Sequence, residues 1–255
     1  MPDAIFERRG DLFQPTEAAV GPWDPGALHG SPVAMLVARQ VEAVAADEPM
    51  DVVRLTLELL RPVPLAPLAV SVDVERPGKR VQLIGATITS DGVEVARARA
   101  LRIRRADLNV ATPPEPPPPG PADLSAWEAW STHPAYHLLG VDLRFAAGKF
   151  LEPGPATMWV RLRLPVIGGE EPTPLQRAAA AADYGNGISG VLSPLEWIYI
   201  NPDLTMYLAR QPEGEWVCLS AKTDLGPGHG LAHSTLYDAR GEIGRALQGL
   251  FVQSR

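Results

Sequence analysis

Residues 33–59 read VAMLVARQVEAVAADEPMDVVRLTLEL, and a change of hydrophobic period inside this stretch decides the fold. Val33 to Ala46 is rich in Ala, Leu and Met and apolar around most of its circumference, which predicts a buried helix rather than one lying on a surface. Ser31 ahead of it suits an N-cap, and Pro32 suits the first helical position. From Val53 the period becomes two. Val53, Leu55, Leu57 and Leu59 alternate with Arg54, Thr56 and Glu58, the pattern of a strand with one face on a core.

Three further strands are predicted downstream, at Val70–Glu75, Lys79–Thr89 and Val93–Arg104, with Ser90-Asp91-Gly92 as a tight turn. Period-two runs on short connections make an antiparallel meander. The plan then recurs. Thr157–Leu164 alternates, Pro172-Thr173-Pro174 opens the helix-like run LQRAAAAAD, and Gly185 and Gly187 close it. Strand runs follow near Leu204–Leu208, Glu215–Thr223, Leu231–Tyr237 and Glu242–Val252. Leu55 answers Leu204, Arg61 answers Arg210 and Gly92 answers Gly241 at one constant offset, as a tandem repeat would. Between the halves lies Pro113-Pro114-Glu115-Pro116-Pro117-Pro118-Pro119-Gly120-Pro121, which cannot be helix or central strand and reads as an extended spacer. One buried helix wrapped by a long antiparallel sheet, made twice, is an α+β plan. The boundaries fall at 1–110, a linker at 111–126, and 127–255.

Composition narrows the function. In 255 residues, 45% are hydrophobic, enough for a sizeable core. The formal net charge is −7 and no basic stripe stands out, which argues against a nucleic-acid partner. The single cysteine, Cys218, sits in the apolar run Trp216–Leu219 and reads as a small buried hydrophobe. No Cys/His cluster has metal-ligand spacing, and no apolar run has transmembrane length. The opening MPDAIFERRGDLF lacks a signal-peptide apolar stretch. A cytoplasmic protein without a membrane partner is expected.

Several stretches together resemble the double-hotdog acyl-CoA thioesterases of type II, the TesB-like family. They are GPWDPGALHGSPVAMLVARQVE, LTLELLRPVPLAPLAVSVDVERPGKRV with GVEVARARALRIR, the AADYGNG segment, and INPDLTMYLARQP through GRALQGLFV. The resemblance implies two tandem hotdog halves, acyl-CoA as substrate, no metal or redox cofactor, and self-association. It implies an Asp, a hydroxyl residue and a Gln holding a water. These fall on Asp183, on Asn201 (or else Thr205) and on Gln248. Asn201 departs from the family's Thr or Ser. It also implies that the turn His29-Gly30-Ser31 binds substrate and faces the Asp of the other half.

The residue chemistry agrees. Asp183 follows five alanines at a predicted helix end, where the helix's negative pole and partial burial both disfavour the anion and make a stronger base. Gln248 and Asn201 donate and accept, so they can orient water. The helix start near Gly30 and Ser31 offers free N–H groups for an oxyanion, and Gly30 lets a carbonyl approach closely. Gly187-Ile188-Ser189-Gly190 lacks the spacing of a nucleophile elbow. Trp23, Trp127 and Trp130 are expected as packing anchors. Arg97, Arg99, Arg102, Arg104 and Arg105 form a basic strand, either solvated or facing coenzyme A phosphates. The rivals are a non-catalytic acyl-CoA or lipid binder and a hotdog dehydratase or hydratase. The second is ranked lower because the histidines show no pairing with an acid.

Overall fold

The computed structural model describes residues 1–106, 108, 113–128 and 133–255. The first half contains β1 (Phe6–Arg9), β2 (Leu12–Pro15), α1 (Gly30–Glu42), β3 (Met50–Leu59), β4 (Leu68–Arg76), β5 (Val81–Ser90) and β6 (Val93–Arg104). The second contains α2 (Tyr136–Leu139), β7 (Val141–Ala147), β8 (Ala156–Leu162), α3 (Pro174–Ala182), α4 (Gly185–Ile188), β9 (Trp197–Ile200), β10 (Asp203–Leu208), β11 (Trp216–Leu225), β12 (His229–Asp238) and β13 (Gly241–Ser254). Every strand joins one antiparallel sheet in the order β1-β2-β4-β5-β6-β3-β10-β13-β12-β11-β8-β7, with β9 added beside β13.

That order has the same sense read inward from either end, and the halves meet where β3 pairs with β10. Thr56 stands directly opposite Thr205 in this register, with Leu55 opposite Met206 and Leu57 opposite Leu204. The Thr205 hydroxyl donates to that of Thr56 at 3.3 Å, and the two residues are 149 positions apart. Joining two edges here satisfies backbone groups that would otherwise be left as exposed edges.

The helices lie against one face of this sheet. α1 packs on α3 and on β3, β4 and β5; α3 packs on β8, β10, β11 and β12. Ser31 through Ala38 and Val41 are buried, each large apolar side chain among them contributing about 1.5–3 kcal/mol by leaving water. The alanines of α3 are buried too, and their small size lets the helices approach closely. One end of the pair is tied across the halves by two links, Arg39 to Glu170 at 2.7 Å and the Thr173 hydroxyl to Glu42 at 2.7 Å.

Several expectations need correction. α1 begins at Gly30, not near Pro32, because His29 is the N-cap and its ring accepts the Ser31 N–H. The proline therefore lies one turn into the helix, still within the region where its missing N–H has no carbonyl partner. Gly185 and Gly187 do not end the helical segment; they sit inside α4. In β3, Val52 is buried and Val53 only half so, because an irregularity between Val52 and Arg54 shifts the alternation. Strands β1, β2, β7 and β9 were not predicted. Trp23 is no packing anchor, being 69% exposed. Trp127 packs against the core, and Trp130 lies outside the described residues.

The proline stretch is docked on the second half, while 111 and 112, at the start of the linker, also lie outside the described residues. Glu115 accepts the Glu242 N–H at 2.8 Å, and Pro119 accepts the Trp159 indole N–H at 2.8 Å. Gly241, with φ +125°, allows this docking: a Cβ there would stand 2.3 Å from the Glu115 carbonyl oxygen.

Candidate active site

Asp183 owes its position to α3. Thr173 caps the helix, accepting the Gln176 N–H while the Gln176 side chain reaches back to the Thr173 N–H, a capping box. Pro174 occupies the first helical position. The buried alanine run then carries the chain to Asp183, which terminates the helix with φ −80° and ψ −5°. Its residue is 8% exposed.

Four of the expected residues converge on this carboxylate. Asn201 Nδ2 donates to Oδ1 at 2.9 Å. Gln248 Nε2 donates to Oδ1 at 3.0 Å and to the Asp183 carbonyl at 3.1 Å. On the other side, His29 Nδ1 lies 3.1 Å from Oδ2. Gly30 lies beneath: a Cβ built on it would stand 2.6 Å from Oδ2 and 2.8 Å from Oδ1. Ser31, buried, ties α1 to α3 by donating its hydroxyl to the Ala180 carbonyl at 3.0 Å.

The geometry refines three roles. Gly30 makes room for the Asp183 carboxylate. Asp183 stands at the negative end of α3 but its oxygens meet the start of α1, a positive helix end that opposes the first. Gln248 has both ends engaged, since Oε1 accepts the Asn186 N–H at 2.8 Å. Its amide thus ties the Asp183 carboxylate to the start of α4. Thr205, the other candidate for the hydroxyl place, is engaged with Thr56 at the junction.

Gln248 is 1% exposed between the buried Ala246 and Leu250 on one face of β13. A polar side chain so placed requires partners, and Asp183 and Asn186 supply them. The His29 ring packs against both Tyr136 and Tyr184, with centroids at 5.1 and 5.0 Å, and those two rings stack on each other at 6.0 Å. Burial pushes both phenols well above their usual range. Burial and then the neighbouring His29 bring His137 down to about 4. Tyr136 and His137 lie outside the stretches that drew attention in the sequence. Tyr184 and Asn186 lie within AADYGNG but carried no signal of their own.

The His29–Asp183 contact overturns the reading that no histidine pairs with an acid. The two are far apart in sequence, and only the crossing of α1 and α3 brings them together. The basic strand is mostly neutralised: Arg97 pairs with Glu94, Arg99 with Glu75 and Arg105 with Asp51, while Arg102 is buried against the Val44 carbonyl. Ser189 is buried on Thr223 and Gly185. Burial pushes the Cys218 thiol up.

A cavity of about 20 Å³ lies beside α4, lined in part by Trp23, Leu151, Gly187, Leu192 and Tyr199, and none of the converging residues lines it. A larger one of about 230 Å³ lies at the other end of the helix pair, by Glu42, Arg102 and Pro174, and includes none of the converging residues. Among the described residues, no group of three or more His, Cys, Asp or Glu side chains could hold a metal ion. No helix among them is long and apolar enough to cross a membrane.

Comparison with known proteins gives this arrangement a family. Residues 19–103 match the acyl-CoA thioesterase N-terminal domain, and residues 108–252 match the acyl-CoA thioesterase C-terminal domain. No curated protein matches significantly. Among solved structures, a conserved protein of unknown function with hot dog fold from Alicyclobacillus acidocaldarius is 16% identical. It covers 99% of this chain and 97% of its own, with a TM-score of 0.76. An acyl-CoA thioesterase II from Mycobacterium marinum is 14% identical, covering 98% and 94%, with a TM-score of 0.67. A tesB protein from Mycobacterium avium subs paratuberculosis is 16% identical, covering 97% and 96%, with a TM-score of 0.66. The large antiparallel sheet with few helices is a hotdog fold. With both family domains matched in order along its length, this chain belongs to the acyl-CoA thioesterase family and is a thioester hydrolase.

Proposed function

We propose that the chain hydrolyses an acyl-CoA thioester to a free acid and coenzyme A, with Asp183 as the base that activates water. The observation that carries this reading is the convergence on one buried carboxylate of two amide donors, Asn201 and Gln248, and the start of α1. The carboxylate of Asp183, held in place by these donors, can take a proton from water as the water's oxygen attacks the thioester carbon. Asn201 lends support, because its Oδ1 has no protein partner among the described residues and can accept from that water. The oxyanion then forms beside the first turn of α1, whose N–H groups suit it. Collapse breaks the carbon–sulfur bond, coenzyme A departs as thiolate, and the acid is left. The sequence requires no metal or redox cofactor.

The fold is read as a double hotdog. Residues 1–110 and 127–255 are the halves, each with its long helix, and 111–126 is the proline-rich linker. The mirrored strand order and the Thr56–Thr205 junction support this. A cytoplasmic, self-associating enzyme of fatty acid metabolism fits the reading.

One observation favours a second reading. A histidine beside an acid is the equipment of hotdog hydratases, and His29 stands beside Asp183. The test is thiol release from short, medium and long acyl-CoAs, with enoyl-CoA included and Asp183→Ala alongside. Thiol release that collapses in the variant is expected. Hydration of enoyl-CoA without thiol release would favour the second reading, and tight binding with no turnover would favour a non-catalytic binder.

A further inference from the structure

His29 Nδ1 has two neighbours that make opposite demands on it. The Ser31 N–H donates to it at 3.1 Å, which requires a lone pair on the ring nitrogen. Asp183 Oδ2 lies at 3.1 Å as well, and an ionised carboxylate there requires a proton on that nitrogen. One imidazole nitrogen offers a lone pair or a proton, never both. A lone pair held against an anionic oxygen in a buried site is repelled with little water to screen it. With Asp183 ionised, the proton therefore sits on Nδ1, and the Ser31 N–H is left for another acceptor. With a neutral amide in place of the carboxylate, as in Asp183→Asn, nothing demands a proton on Nδ1, the proton can rest on Nε2, and the cap on Ser31 closes.

We propose that His29 couples the base to the oxyanion site: an ionised Asp183 holds the Nδ1 proton and so frees the Ser31 N–H to donate to the developing oxyanion of the thioester. This rests on Asp183 being the base. The surroundings suit a switch of protons rather than of shape. Tyr136 and Tyr184 both pack against the ring, and with Asp183 and the nearby His137 they are the titratable groups around it among the described residues. The Ser31 backbone is fixed, its hydroxyl being tied to Ala180. Nε2 has no protein partner among the described residues, so it can exchange its proton with solvent. His29 acts through Ser31 and Asp183, as a positioning residue.

The proposal reverses the order expected of an ordinary helix cap. His29→Asn supplies one of the best capping side chains and keeps Ser31 occupied. His29→Phe keeps a ring but offers no acceptor. We expect His29→Asn to melt at the higher temperature yet to have a kcat about tenfold below that of His29→Phe, since its cap bond must break in every turnover. Equal values, or a faster His29→Asn, would overturn the coupling. Asp183→Asn separates this from the underlying reading: if that variant still turns over, the base assignment fails and the coupling with it. Should either histidine variant not fold, ¹⁵N-labelled histidine in the wild type and in Asp183→Asn reads the tautomer directly. Nδ1 protonated in the first and unprotonated in the second is expected, and an unprotonated Nδ1 in the wild type at neutral pH would overturn the proposal.

Discussion

The Asp183 carboxylate rests on the α-carbon of Gly30, so that a methyl carbon at that position would lie 2.6 Å from Oδ2 and 2.8 Å from Cγ. Gly30→Ala should therefore displace the carboxylate while favouring α1, since alanine is the better helix former by about 1 kcal/mol. We expect kcat to fall by roughly 100-fold, the scale of a misplaced catalytic group, with the circular dichroism spectrum retained. Wild-type kcat in a folded variant would show that Asp183 does not need its place.

Gln248 connects Asp183 to the first turn of α4. Gln248→Leu removes the donor to Oδ1 and leaves the buried Asn186 N–H without its acceptor. The variant should lose about 1–3 kcal/mol of stability in urea unfolding, together with at least tenfold in kcat. Asn201→Ala, at a half-buried position, should lower kcat with little effect on stability. If both variants affected only stability, the amides would be structural.

Asp238 is fully buried beneath Arg210, whose guanidinium grips it with both terminal nitrogens. Burial alone would raise its carboxyl, but Arg210 and the N–H groups of Glu213 and Arg240 hold it below its usual 3.8. A depressed folded value means that its stabilisation is present above 3.8 and is lost as pH falls through the folded value. Asp238→Asn should cost about 3–5 kcal/mol at pH 7 by leaving Arg210 unpaired. The gap from wild type in melting temperature should narrow as the buffer is taken below pH 3.8; a gap that is constant with pH would contradict this assignment.

Cys218 is fully buried on β11, and burial holds it as the unreactive thiol. Iodoacetamide should not alkylate it in the native protein at pH 8, while in guanidinium one adduct should appear by mass spectrometry. Native alkylation faster than global unfolding would mean that this part of the sheet opens locally.

The strands with period two were legible in the sequence because each has one face on the helices and one outward. Those that escaped notice had no such pattern: β9 reads Trp-Ile-Tyr-Ile, apolar throughout and four residues long. The start of α1 was misread because Ser31 and Pro32 carry the usual signals, whereas the cap is a ring nitrogen of His29, a residue with no strong capping preference. At the candidate site, Gln248 announced itself as a polar residue in an apolar row. The contact of His29 with Asp183 did not, because it depends on how two helices from different halves cross, and no local pattern encodes that.

The register that sets Thr56 opposite Thr205 makes the strands on either side of the junction counterparts of one another, β3 of β10 and β6 of β13. A dimer of identical hotdog chains is bound by its symmetry to build every feature twice. A continuous chain escapes that obligation, and here the counterparts have diverged. In the neighbouring strands Arg99 stands opposite Thr56 and Leu247 opposite Thr205, so Gln248 answers to Ala100, a buried residue with no polar group on its side chain. One end of the helix pair holds the carboxylate and its donors, while the other holds the Arg39–Glu170 and Thr173–Glu42 links. With Asp183 as the proposed base, the molecule has a division of labour and a valency of one centre per chain.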